Sequence, residues 1–335
     1  MAADLQTAQR LLLELGDNIR EKLIQTRTSA STGHASFATI SRESAADTIY
    51  EIDRVTEETI ETWFAAQWPA ELPIELVMEG IDEPVTVPHG RPVDKTMYKC
   101  ILDPIDGTRG IMYDKRSAWF LAGLAPQKAA DTRLSDIEVA VMVELPTSKQ
   151  WRADRISAIR GQGAKADSVN VLTGEKLSVT LRPSTATDPL HGFAYISRFF
   201  PAGKALTASI EQQLWERLHP NLDHRENMVF EDQYLATGGQ FYEILTGHDR
   251  MIADIRPMVF KKLGIESALF CHPYDVCSSL ILEEMNVVIE HPLGGRLSGP
   301  LDTISPISWV AYSNDRLAAK VRPVFQEILR ELLDE

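Results

Sequence analysis

Six consecutive residues, Asp103-Pro104-Ile105-Asp106-Gly107-Thr108, set two carboxylates, a rigid imino acid and a hydroxyl side by side. Carboxylates this close repel unless they are protonated, separated or bridged, and the usual bridge is a hard divalent cation with oxygen ligands. Gly107 admits backbone angles closed to other residues, and Thr108 can cap an element that begins beyond it. Amides near both can face a phosphate at a helix start. The plainer alternative is an Asp-rich turn, since Asp, Pro and Gly are the residues turns favour. Three further acids stand at element ends. Glu79 follows the apolar run Ile74 to Met78, where a lone glutamate is ordinarily just solvated. Asp47 closes Ser44-Ala45-Ala46-Asp47, which has capping-box spacing, and Asp275 precedes an apolar helical stretch; acids stabilise helix starts in any protein.

The elements that must position these residues are legible as periodicities. Leu5, Ala8, Leu12, Leu15, Ile19 and Leu23 recur at helical spacing, which predicts an amphipathic first helix. A second helix is expected from about Ser44, with Ile49, Ile52, Ile60, Trp63 and Phe64 as its buried stripe. Tyr98 to Leu102 reads as a buried strand, and Pro104 cannot donate to a ladder, so pairing is expected to end where Asp103 emerges. Strands are expected at Ala118 to Ala125, Ile137 to Leu145, within Trp151 to Arg160, at His191 to Ser197 and at Ile307 to Tyr312. Helices are expected at Lys204 to Leu218, at Tyr234 to Leu245 with Gly247 as the stop, and at the C-terminus. Gly161-Gln162-Gly163-Ala164 opens no helix and is no dinucleotide fingerprint.

The chain has 335 residues and a formal charge of −14. That length is ample for about two domains or one large layered unit, and the charge excludes a protein that tracks nucleic-acid backbones. A small phosphorylated substrate stays compatible, because bound cations reverse a local potential. Cys100, Cys271 and Cys277 make an odd number without metal-ligand spacing, which fits a reducing compartment. No basic leader or membrane span is evident, so the expectation is a cytoplasmic protein without a membrane partner.

Asp103 to Thr108 resembles the signature of the inositol monophosphatase family, within the magnesium-dependent, lithium-sensitive phosphatases that include fructose-1,6-bisphosphatase and bisphosphate nucleotidases. Supporting matches follow in the family's order. Asp47 and Asp53 fall at its acidic helix start, Glu79-Gly80 where relatives carry Gly-Glu-Glu, and Gly161 to Val179 on a Gly-x-Gly-Ala hairpin. Tyr274-Asp275-Val276-Cys277-Ser278-Ser279 stands where they carry Trp-Asp-x-Ala-Ala-Gly. The resemblance implies an α/β (α+β) fold, a layered αβαβα sandwich. Its first half, residues 1–183, would hold a mostly antiparallel sheet and metal motifs; its second, 184–335, would hold a mixed sheet completing the site.

By the same resemblance, Glu79, Asp103, Asp106, Asp275 and the Ile105 carbonyl would hold two or three Mg²⁺ ions. Thr108 and Asp47 would position or deprotonate the attacking water, Gly107 and Thr108 amides would bind phosphate, and Asp254 would hold a substrate hydroxyl. Relatives receive substrate with small residues like Ala236, Thr237, Gly238 and Gly239, for which close helix packing is the alternative. They are often dimers, so a homodimer is expected. Two departures stand out: no lysine occurs between Thr26 and Tyr50, where relatives have a lysine-bearing loop, and Gly80 replaces their second glutamate. Asp82 and Glu83 are candidates to compensate. Arg109, next to the signature, suits either a second phosphate or solvent. The expected activity is inositol-phosphate phosphatase, with a 3′(2′),5′-bisphosphate nucleotidase and a catalytically impaired ligand-binding homologue as alternatives.

Overall fold

Central strands with apolar side chains on both faces require cover on both sides. On adjacent strands Cys100 and Leu102 point to one core while Ile101 points to another, and Phe120 and Ala122 oppose Trp119 and Leu121 in the same way. The computed structural model describes residues 2–29, 40–43, 48–81, 85–223 and 228–334, with the backbone alone at 2, 28–29, 40–43 and 48–58.

The first half runs α1 (Ala2–Ser29), β1 (Ile40–Glu43), β2 (Thr48–Tyr50), α2 (Glu51–Gln67), β3 (Ile74–Met78), β4 (Val85–Val87), β5 (Tyr98–Asp106), α3 (Thr108–Met112), β6 (Ala118–Pro126), β7 (Val139–Leu145), β8 (Arg152–Ile159), β9 (Ala164–Asn170) and β10 (Lys176–Ser178). The second runs β11 (Phe193–Ile196), α4 (Lys204–Leu218), α5 (Thr237–Leu245), β12 (Asp249–Asp254), α6 (Arg256–Leu263), α7 (Leu280–Glu284), β13 (Val288–Glu290), β14 (Trp309–Tyr312) and α8 (Asp315–Leu333). The large sheet has order β10-β9-β8-β7-β6-β5-β3-β4 and is antiparallel except where β3 runs parallel to β5. The small sheet, β11-β12-β14-β13, is mixed, with β11 parallel to β12.

Three apolar clusters stack these pieces into five layers. Leu12, Leu15 and Ile19 of α1, with Ile60 and Phe64 of α2, cover one face of the large sheet. Phe241 and Ile244 of α5, with Leu280 and Ile281 of α7, lie between the sheets against Trp119, Met142, Ile252 and Trp309. Ile210, Val259 and Phe325, from α4, α6 and α8, cover the far face of the small sheet. The layered αβαβα sandwich expected from the sequence is therefore the fold. Each sheet keeps to its own side of Pro183, while the middle core draws on both halves. Among the described residues no helix is long and apolar enough to cross a membrane.

The starts of α2 and α5 differ from expectation. Thr48–Tyr50 pairs antiparallel with Ile40–Glu43, so α2 begins at Glu51 rather than near Ser44. Helix α5 begins at Thr237 rather than Tyr234, because Ala236 is extended (φ −109°, ψ 134°) and the buried Tyr234 hydroxyl donates to the Ser117 carbonyl.

Candidate active site

The acidic signature is delivered by two parallel strands in register. Met78 of β3 lies opposite Leu102 of β5, so the next residue of each, Glu79 just past β3 and Asp103 within β5, stands at the same level. The Glu79 amide donates to the Leu102 carbonyl at 3.3 Å. Pairing does not stop at Asp103. Asp103 lies opposite Leu121 and Asp106 opposite Trp119, so three steps along β5 match two along β6. That bulge takes up Pro104, which has no N–H to offer, and carries the strand on to Asp106.

Gly107 follows with φ 97° and serves as the N-cap of the one-turn α3. A Cβ there would lie 2.7 Å from the Ala236 Cβ, so both backbone angle and space demand glycine. Thr108 is thus the first helical residue rather than the cap, and its hydroxyl donates to the Ile105 carbonyl at 2.9 Å. Asp275 was expected to begin a helix; it lies in a run of turns, and α7 starts at Leu280.

One ligand atom from each of Asp103, Asp106 and Asp275 lies within 4.8 Å of the others. Burial and the neighbouring Asp106 and Asp275 charges push the Asp103 carboxyl well above the usual carboxylate range. Burial and Asp275 do the same to Asp106, against the amides of Gly238 and Thr237 and the charge of Arg256. The Gly238 amide donates to Asp106 at 2.5 Å and the Ile105 amide to Asp103 at 2.9 Å, while the His272 amide holds Asp275 at 2.5 Å. Glu79 hydrogen-bonds the Asp103 side chain. Such a set of oxygens cannot all be ionised unless a cation neutralises them, and an all-oxygen donor set of this charge fits Mg²⁺.

Glu79, Asp103, Ile105, Asp106, Gly107, Thr108, Arg109 and Asp275 line one cleft. Asp254 does not. It is fully buried, and Arg256 grips its carboxylate from Nε at 2.9 and 3.0 Å and from Nη2 at 2.5 Å. Asp47, Asp82 and Glu83 lie outside the described residues, and Asp53 is placed by backbone alone in α2. The small residues of α5 pack closely: a Cβ on Gly238 would sit 2.7 Å from the Trp119 Cβ.

Sequence reasoning missed the opposite wall. Arg256 lines the cleft, its guanidinium 4.8 Å from the Phe199 ring centroid and 5.4 Å from that of Phe200. Its Nη1 donates to the Leu269 carbonyl at 2.9 Å, tying down the segment that brings Ala268, Leu269 and Phe270 to the cleft. His272 stacks on Tyr274, with centroids 5.0 Å apart, and shares a 3.1 Å hydrogen bond with its hydroxyl. The available signals were an arginine two residues past a strand-ending aspartate, and Phe199-Phe200 at a strand exit.

A layered sandwich whose large sheet presents a buried carboxylate cluster at the seam with the small sheet defines the class of this molecule. The solved structures similar to it have the inositol monophosphatase and fructose-1,6-bisphosphatase fold, and that is the fold of this chain. Fructose-1,6-bisphosphatase of Leishmania major superposes with TM-score 0.64 at 12% identity, covering 96% of this chain and 93% of its own. The extragenic suppressor protein suhB of Bartonella henselae gives 0.62 at 14%, covering 95% and 98%. Inositol monophosphatase-II of Staphylococcus aureus gives 0.55 at 17%, covering 100% and 94%. No family model matches the chain, and no curated protein matches it in sequence.

Proposed function

We propose that this protein is a Mg²⁺-dependent phosphomonoester hydrolase in which water attacks phosphorus directly. The observation that carries the reading is the convergence of Asp103, Asp106 and Asp275 in one cleft, with the first two carboxyls raised by burial and mutual repulsion. These three, with Glu79 and the Ile105 carbonyl, would hold the ions, which supply a low-pKa water and neutralise phosphate charge when bound. Thr108, oriented by its bond to Ile105, and Asp47 position the water and take its proton. The amides of Gly107 and Thr108 receive phosphate oxygens. A P–O bond forms to the water oxygen, the ester P–O bond breaks, and the leaving oxygen takes a proton from solvent water to depart as the alcohol.

For the leaving group, inositol-phosphate chemistry is the first reading and nucleotide chemistry the second. The second is favoured by the wall of Phe199, Phe200, Leu235, Leu269 and Phe270 and by the engagement of Asp254 with Arg256. Apolar rings suit a base better than a polyol, whose hydroxyls need polar partners.

The test is phosphate release from a panel of inositol, sugar and nucleotide phosphates with and without Mg²⁺, alongside Mn²⁺ binding followed by electron paramagnetic resonance. Asp106→Asn is expected to lower kcat about 10³-fold and weaken Mn²⁺ binding. Asp47→Asn is expected to lower kcat about 10²-fold while leaving Mn²⁺ bound. Absence of both phosphate release and Mn²⁺ binding in the unaltered protein would overturn the hydrolase reading.

A further inference from the structure

The wall opposite the carboxylate cluster holds a charge that hydrolysis of the ester does not use. Arg256 is the first residue of α6. It is buried, yet it lines the cleft among Phe199, Phe200, Leu235, Leu269 and Phe270. Burial opposes its charge, but the Asp254 carboxylate holds the guanidinium above its ordinary value. The pair inverts the polarity expected at this place. Asp254 Oδ1 accepts the Arg256 amide at 3.1 Å and Nε at 2.9 Å, and Oδ2 accepts Nε at 3.0 Å and Nη2 at 2.5 Å. With Asp254 fully buried and outside the cleft lining, the wall offers a substrate the donors of a guanidinium instead of a carboxylate acceptor.

Those donors are fixed before any ligand arrives, which lowers the ordering cost of binding. The Phe199 and Phe200 rings stand against the guanidinium, with centroids 4.8 and 5.4 Å from its Cζ. Nη1 donates to the Leu269 carbonyl at 2.9 Å. Each terminal nitrogen then keeps a second N–H, and neither has a partner among the described residues. An unmatched charged donor in a wall of apolar rings is unfavourable, and an acceptor on the ligand relieves it. The acceptor that matches a planar guanidinium in shape and charge is a carboxylate. Since Asp254 already neutralises Arg256, the pair suits one negative charge better than the double charge of a phosphate. Arg256 stands near enough to the cluster for its charge to act on Asp106, and a short carbon chain spans that interval.

We propose that the cleft takes a further class of substrate, the phosphomonoesters of short hydroxy acids, whose phosphate lies at the acidic cluster and whose carboxylate meets Arg256. The inference rests on the hydrolase reading and stands beside the two leaving groups named above. It makes Arg256 the residue that selects the carboxylate. The reaction itself is unchanged: a P–O bond forms to the water oxygen, the ester P–O bond breaks, and the leaving oxygen takes a proton from solvent water. The carboxylate takes no part in bond making and only orients the ester.

The test uses a matched pair, phosphoglycerate and glycerol phosphate, each esterified at its terminal carbon, which differ by a carboxylate in place of a hydroxymethyl group. Both are measured by phosphate release with Mg²⁺ and by calorimetric binding. The unaltered protein is expected to favour phosphoglycerate about tenfold in both measurements. Arg256→Lys keeps a charge beside Asp254 but loses the planar fork, and is expected to cut that preference several-fold. The paired change Asp254→Asn with Arg256→Gln leaves no buried charge unmatched and is expected to abolish it. Mn²⁺ binding and thermal unfolding of each variant separate this loss from damage to the cluster or misfolding. Equal treatment of the two compounds by the unaltered protein, or a preference that survives the paired change, overturns the assignment. Phosphate release from both without preference sinks this substrate class alone, whereas preferential binding without release from either sinks the hydrolase reading and leaves Arg256 as a carboxylate receiver.

Discussion

Asp249, at the start of β12, is buried away from the cleft with its carboxyl pushed up to about 7 by desolvation and by the charges of Glu243 and Asp232, against the opposing pull of Arg116. An unfolded aspartate titrates near 3.9. Between those values the folded chain holds a proton the unfolded chain has lost, so this residue's contribution makes stability fall as pH rises from about 4 to 7. Asp249→Asn is expected to flatten that slope and to stabilise the protein by about 1–3 kcal/mol at pH 8 relative to pH 5. Urea denaturation at the two values checks it, and a variant with an unchanged slope would place the dependence elsewhere. The same scale marks where sequence reading stops. The family resemblance implies that Asp254 holds a substrate hydroxyl, but only the folded chain reveals that Arg256 occupies its carboxylate. A pairing across two residues leaves no periodic trace, and its meaning depends on which way each side chain leaves the backbone.

Among the elements, those with a sustained period were legible. Helix α1 buries Leu5, Ala8, Leu12, Leu15, Ile19 and Leu23 as their spacing predicts, and α4 runs from Lys204 to Leu218 as expected. The extension of β5 through Pro104 was not legible, because a proline after an apolar run reads as a stop and a bulge has no repeat to detect. The Gly161 to Ala164 turn is legible as part of a hairpin, but what fixes it is not. Both the Gly161 and Gly163 amides donate to the Glu284 carboxylate, at 2.7 and 2.8 Å, beyond the end of the hairpin and near the end of α7. Glu284→Ala removes two charge-assisted bonds and is expected to cost about 1–2 kcal/mol. Thermal unfolding measures that loss, and Glu284→Gln, which keeps one acceptor oxygen, should recover part of it.

At the scale of the molecule, the resemblance implied a five-layer order that the structure has, since each layer follows from an apolar face that needs cover. The seam between the sheets was less legible, being set by contacts such as Trp119 against α5 rather than by any local pattern. Metal removal is expected to act at this scale. A cation held by Asp103, Asp106 and Asp275 stabilises the folded state by mass action, so chelation should lower the unfolding temperature and added Mg²⁺ should raise it with concentration. A melting point insensitive to both would argue against a cation at the cluster.

The position of the carboxylates along the chain gives this a further consequence. Asp103 and Asp106 belong to the large sheet, whereas Asp275 follows the small sheet's β12, with α6 between them. An ion shared among the three is thus a removable cross-link that closes a long loop, much as a disulfide would, but one that tracks the ion concentration of the surroundings. Stripping it should leave α1 and the interior of the large sheet as protected as before. The loosening should appear in hydrogen exchange at residues 268–280 and at the start of α5, where the two halves of the chain are clasped.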